Sequence, residues 1–204
     1  MATTSKSTAP APAPAADPGQ SYFEWAPTLA GSVLAVAISL VLAQFGAGVG
    51  LSVGEPVLTD GSASWNVLVA GLWLVWVALA SSAAGGYVAG RMRAKFPGFS
   101  AEEVEFRDGL HGLIVWALAT ILAALALGAL TLVSTLGVVA AEAPASDERL
   151  MRLTANITTI SSFSAAAGAA LGAAAAWWAG TLGGQHRDNN IDVHALVPRM
   201  FRRT

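Results

Sequence analysis

Asp108-Gly-Leu-His-Gly-Leu-Ile-Val-Trp-Ala-Leu-Ala-Thr-Ile-Leu-Ala-Ala-Leu-Ala-Leu-Gly-Ala-Leu-Thr-Leu-Val-Ser-Thr-Leu-Gly-Val-Val-Ala-Ala-Glu142 carries no Asp, Glu, Lys or Arg between its two ends. A helix that crosses a bilayer needs about 20 apolar residues, and this run is longer. Buried helices of soluble proteins seldom stay uncharged for that length. The same gap recurs between Glu24 and Glu55, between Asp60 and Arg91, and between Arg152 and Arg187. The four gaps predict an all-α polytopic membrane protein with transmembrane helices near 27–51, 65–90, 110–140 and 156–181. They form two antiparallel hairpins.

Composition agrees. The chain has 204 residues, of which 54% are hydrophobic and 12% charged, against about 25% charged in a typical soluble domain. The net charge of −2 excludes the basic footprint of a nucleic-acid binder. With no cysteine in the chain, disulfides, thiol nucleophiles and Cys-ligated metals are excluded as well. No phosphate-binding glycine loop, nucleophile elbow or His/Glu zinc motif is present, so no cofactor is expected.

Three regions follow. Residues 1–20 hold the alternation Ala9-Pro10-Ala11-Pro12-Ala13-Pro14 and no apolar core of a signal peptide, so they are expected to form a disordered, polyproline-like tail. Residues 21–182 form the transmembrane domain. Residues 183–204, starting at Gly183-Gly184 and carrying Arg187, Arg199, Arg202 and Arg203, are expected as a basic tail lying on an anionic inner leaflet or docking on a protein.

The Lys and Arg residues set the expected orientation. Arg91, Arg93, Lys95 and Arg107 lie between spans two and three, whereas no Lys or Arg lies between spans one and two. Positive charge stays on the cytoplasmic side, so both termini are expected there. Tyr22, Phe23 and Trp25 read as an interfacial aromatic belt before Pro27 in the first helical turn. Ser100-Ala-Glu-Glu103 reads as a capping box, with Arg107 one turn beyond Glu103. Ser146-Asp147-Glu148 repeats that pattern ahead of Arg152. Helices three and four are therefore expected to begin as water-exposed turns before entering lipid.

Helices in lipid associate through small residues rather than through hydrophobic drive. Gly46, Gly50 and Gly54 share one face of span one. Gly86 and Gly90 do so in span two, and Gly168 and Gly172 in span four. These ridges are expected to pack within the chain, with a dimer interface as the alternative.

The polar candidates are few. Glu105, Arg107, Asp108 and His111 stand at the mouth of span three, where two carboxylates and an imidazole could converge on a metal or a proton. The plainer reading is that the acids cap the helix start while His111 bonds a neighbour, and no metal site is assigned. Asn156, Thr158, Thr159, Ser161 and Ser162 give span four a polar face, read as helix–helix glue before a water path. No Asp, Glu, Lys or Arg lies inside a predicted span, which argues against ion-coupled transport.

Trp25-Ala-Pro-Thr-Leu-Ala-Gly31, Phe45-Gly-Ala-Gly-Val-Gly-Leu-Ser52, Gly85-Gly-Tyr-Val-Ala-Gly-Arg91 and Arg107-Asp-Gly-Leu-His-Gly-Leu-Ile-Val-Trp-Ala-Leu-Ala-Thr120 resemble strings in a group of small uncharacterised bacterial four-span integral membrane proteins, some labelled "PhnA-like". The resemblance covers roughly residues 25–135 and implies a location in the bacterial cytoplasmic membrane, not an activity. The expected function is non-catalytic. The chain would be a structural or accessory subunit that binds another membrane protein or itself. The alternative is a passive channel or transporter-like homo-oligomer with a Ser/Thr-lined path.

Overall fold

The uncharged runs become helices over nearly their whole length. A computed structural model describes residues 21–50, 65–95, 98–138 and 148–192. It contains α1 (Trp25–Gly50), α2 (Trp65–Met92), α3 (Ala101–Val138) and α4 (Glu148–Asp188). Each includes a stretch long and apolar enough to cross a membrane: Trp25–Val49, Trp65–Met92, Ala101–Ala129 and Thr158–Asp188. The Ala/Pro tail, Gly54, Pro97, Ser146-Asp147 and residues 193–204 lie outside the described residues.

The helices start as their sequences dictate. Ser100 Oγ accepts the Glu103 backbone N–H at 3.2 Å, the expected first half of a capping box. The second half differs, because the Glu103 carboxylate accepts the Tyr22 hydroxyl instead of turning back on Ser100. Gly98 has φ 99° in the turn before α3, a conformation that glycine adopts without a Cβ clash.

The end of α4 corrects the sequence reading. The basic tail is expected to start at Gly183-Gly184, yet α4 runs through both glycines to Asp188. The stop is at Asn190, with φ 51°. There the Ile191 N–H bonds the His186 carbonyl at 2.9 Å and the Asn190 N–H bonds the Arg187 carbonyl at 3.2 Å, the paired bonds of a Schellman cap. At Gly183 and Gly184 the neighbouring helices leave no room for a Cβ. One at 183 would overlap the Tyr87 carbonyl, and one at 184 the Asp108 carboxylate.

The bundle packs backbone on backbone. α1 and α2 cross at Gly31 and Gly85, where a Cβ on Gly85 would stand 2.5 Å from the Gly31 carbonyl oxygen. Val115 of α3, fully buried, closes this crossing with Ala35 and Ala89. Farther along the same pair, the Trp73 indole lies over Gly46 and donates to the Leu42 carbonyl at 3.0 Å. α1 with α2 and α3 with α4 form the two antiparallel hairpins, and the hairpins join most extensively where α2 and α4 run parallel. The contacts advance in step there, Gly71 on Ser164, Gly86 on Ala176 and Gly90 on Gly180. Among the described residues, α1 and α4 do not touch.

Large apolar side chains point outward. Val33 is 65% exposed, Leu125 64% and Leu127 65%, while the interior is mostly Gly, Ala and Ser. In water this distribution would be inverted. In lipid it is the expected one, since tails solvate Leu and Val as well as a protein core does.

Candidate functional site

The polar groups gather at the end of the bundle where α3 begins and α2 and α4 finish, here called the basic end. The first turns of α3 present two faces. Residues 103, 107 and 111 follow one another at the four-residue spacing that aligns side chains on a helix. Residues 105, 108 and 111 do not stay aligned, because each step of three falls about 60° short of a full turn. The structure follows that geometry and separates the expected cluster. Glu105 is exposed, Asp108 turns toward α4, and His111 turns toward the start of α1.

On the Asp108 side the chain builds a buried ionic cluster. Arg93, just past α2, donates Nε to Asp108 Oδ1 at 2.5 Å. Arg187 of α4 approaches the same carboxylate with two nitrogens, each at 3.1 Å. It also donates to the Gly90 carbonyl at 3.0 Å and to both oxygens of Asp188 at 2.8 and 2.9 Å. Asp108 is 1% exposed, Arg93 2% and Arg187 8%. A buried ion pair adds little net stability over an apolar filling, but removing one partner strands the other charge. The cluster therefore fixes how α2, α3 and α4 meet.

Sequence reasoning counted Arg93 and Arg187 only as charges that set orientation. They are the counter-ions of Asp108. No local signal marked them, since they lie on other elements. The glycines flanking α4's end were the nearest clue, because Gly184 clears the space that the Asp108 carboxylate occupies.

On the other side, residues 21–24 lie across α3 like a strap. Tyr22 donates its hydroxyl to Glu103, and its carbonyl accepts Arg107 Nη2 at 2.6 Å. The Arg107 guanidinium also sits 4.2 Å from the Tyr22 ring centre and 5.3 Å from that of Phe99, within cation–π range. Phe23 stacks on His111 with ring centres 4.7 Å apart. The Glu24 N–H donates to His111 Nε2 at 3.0 Å, and the Glu24 carboxylate accepts the Ala94 N–H at 3.2 Å. Tyr22 and Phe23, read from the sequence as an aromatic belt, thus make specific contacts. Trp25 is 61% exposed, with its ring edge against Phe23 at 4.8 Å between centres. The Glu103 carboxylate holds the Tyr22 phenol above its ordinary pKa, because the hydrogen bond exists only with the protonated phenol.

A cavity of about 280 Å³ opens between α3 and α4, with Glu105, Asp108, Thr181, Gln185, Asp188 and Asn189 in its wall. Among the described residues, no three His, Asp or Glu side chains come together as a metal site. Both His111 nitrogens are engaged within the protein, with Nδ1 2.7 Å from the Arg107 carbonyl. The Asp108 carboxylate is held by its two arginines.

The glycine ridges divide. Gly46, Gly86, Gly90, Gly168 and Gly172 each face a neighbouring helix of the same chain, and among the described residues a Cβ on nearby Gly48 would meet nothing within 4 Å. Gly50 ends α1. The sequence reading missed Gly31, Gly85, Gly109, Gly112, Gly180 and Gly184, which make equally close approaches. The spacing of three between Gly109 and Gly112 and of four between Gly180 and Gly184 was legible, but which face meets which helix was not.

The described part of the α4 polar face, residues 158–162, does not line an interior. Asn156 lies within α4, and Thr158, Thr159, Ser161 and Ser162 are exposed, with Ser161 Oγ bonded back to the Thr158 carbonyl at 3.0 Å. Thr158, Ser162, Ala166, Ala170 and Ala174, spaced by four, are all exposed. They form a second small-residue ridge, turned away from the buried ridge of Gly168, Gly172, Ala176 and Gly180.

No family model matches the chain, and no curated protein or solved structure is similar to it. The fold and the basic end define a class and no family: a four-helix protein with four candidate membrane spans.

Proposed function

We propose that the chain is a non-catalytic inner-membrane protein with both termini in the cytoplasm, acting as a structural or accessory subunit of a membrane protein complex. One observation carries the reading. The ridge of Thr158, Ser162, Ala166, Ala170 and Ala174 is exposed, although the matching ridge on the same helix is fully used for close packing. In lipid, small residues and hydroxyls gain more against another helix than against acyl chains.

A passive homo-oligomeric channel is the second reading, and the position of Thr158 and Ser162 on the outside favours it over a pore through one copy. Purification in mild detergent followed by mass spectrometry separates the two. A stoichiometric membrane partner, lost when Ala166→Leu and Ala170→Leu are combined, supports the subunit reading. A homogeneous self-oligomer whose ion or solute flux in liposomes falls with Thr158→Leu and Ser162→Leu would replace it. Reporter fusions that place the C-terminus outside the cytoplasm would overturn the orientation.

A further inference from the structure

The strap before α1 is fastened to α3 through a histidine whose two nitrogens have opposite duties. Nδ1 lies 2.7 Å from the Arg107 carbonyl, which has no proton to offer, so Nδ1 carries the hydrogen. Nε2 accepts the Glu24 N–H at 3.0 Å and must present a lone pair. The bonds together assign one tautomer of the neutral ring.

We propose that His111 is a proton-operated latch: the neutral ring holds residues 21–24 on α3, and a proton on Nε2 releases them. An Nε2–H would point at the Glu24 N–H, donor against donor, and would bring positive charge to the first turn of α1, where the helix dipole is already positive. Phe23 stacks on the ring face, so the ring is held in the orientation that points Nε2 at the Glu24 N–H.

The charged groups facing the ring are Glu24 from the strap, Arg93 from the end of α2, and Arg107 and Asp108 from α3 itself, with Arg187 of α4 behind Asp108. The two carboxylates and the arginines oppose one another, and Asp108 is already shared between Arg93 and Arg187. His111 is 0% exposed, so the proton reaches Nε2 when the strap has lifted. Acid then enriches the lifted state by binding it alone. Release also opens the Tyr22 contacts with Glu103 and Arg107, since Tyr22 lies two residues before Glu24 on the same strap.

The absence of cysteine makes the test direct. A nitroxide is attached to the full-length Ser21→Cys protein in nanodiscs, and its mobility is recorded from about pH 8 to about pH 5, the range in which an imidazole ordinarily changes charge. The label is expected to pass from immobilised to mobile on acidification. It should stay immobilised with His111→Gln, whose amide oxygen accepts the Glu24 N–H without titrating. With Glu24→Gln it should still be released. No transition in the parent, a transition retained in His111→Gln, or one abolished by Glu24→Gln would each overturn the latch. Nitrogen-15 histidine NMR on the unsubstituted chain keeps the test open if His111→Gln misfolds. The His111 Nε2 resonance must be that of an unprotonated nitrogen near pH 8 and must change together with the label, and a resonance that stays constant through the label's transition would overturn the proposal.

Discussion

Gly184 of α4 and Asp108 of α3 face each other so closely that a Cβ on the glycine would occupy the space of the Asp108 carboxylate. The glycine is the steric condition for the ion cluster. Without it, Asp108 could not lie between Arg93 and Arg187. Gly180, one turn earlier, serves the same contact, since a Cβ there would come within 2.6 Å of the Asp108 carbonyl oxygen.

Gly184→Ala is therefore expected to behave like a charge deletion. It should lower stability by about 3–5 kcal/mol, the cost of breaking a buried ion pair, and Asp108→Asn should do the same by leaving two buried guanidinium groups facing a neutral amide. Thermal unfolding in one detergent measures both. The double substitution should cost much less than the sum of the two, because both remove the same cluster. An additive result would show that Gly184 serves something other than Asp108.

Glycines of equal appearance should differ sharply. A Cβ at Gly90 would overlap the Gly180 carbonyl, while among the described residues one at Gly48 meets nothing within 4 Å. Gly90→Ala is expected to destabilise by about 1–3 kcal/mol through overpacking, and Gly48→Ala to be neutral or to stabilise by up to about 1 kcal/mol through helix propensity. Unfolding midpoints of the two variants, measured side by side, check the contrast.

Alkaline pH should loosen the strap through Tyr22. The hydrogen bond to Glu103 raises the folded-state pKa of the phenol above 10.0. The stabilisation is then fully present below the unfolded value and is lost as pH rises through the folded one. With two tyrosines in the chain, an ultraviolet titration of Tyr87→Phe isolates Tyr22. Glu103→Gln should move its ionisation back toward the ordinary range and free a nitroxide at residue 21. An unchanged ionisation would remove the Glu103 bond from the account of the strap.

Part of the basic end was legible beforehand. The Ser100 cap and the alignment of Glu103 with Arg107 are local and follow from helix geometry, and both residues do converge on Tyr22. Convergence of Glu105, Asp108 and His111 is the alternative to the plainer reading, and steps of three drift around a helix, so Asp108 turns toward α4 and His111 toward the start of α1. Gly183-Gly184, where the basic tail is expected to start, lies inside α4. A glycine pair signals a helix end when its backbone freedom is used, whereas here its missing side chains are used.

The sequence by itself determined four long helices with small residues inside and bulky ones outside, because each uncharged run outlasts the thickness of a bilayer and only a helix satisfies its own backbone there. Tertiary structure alone decided that α2 and α4 lie parallel at the join, that Asp108 belongs to Arg93 and Arg187, and that His111 holds the start of α1. These facts depend on the rotation of each helix about its axis. In a chain whose helices are apolar on nearly every side, no amphipathic stripe records that rotation, and only the close fit of one backbone against another selects it.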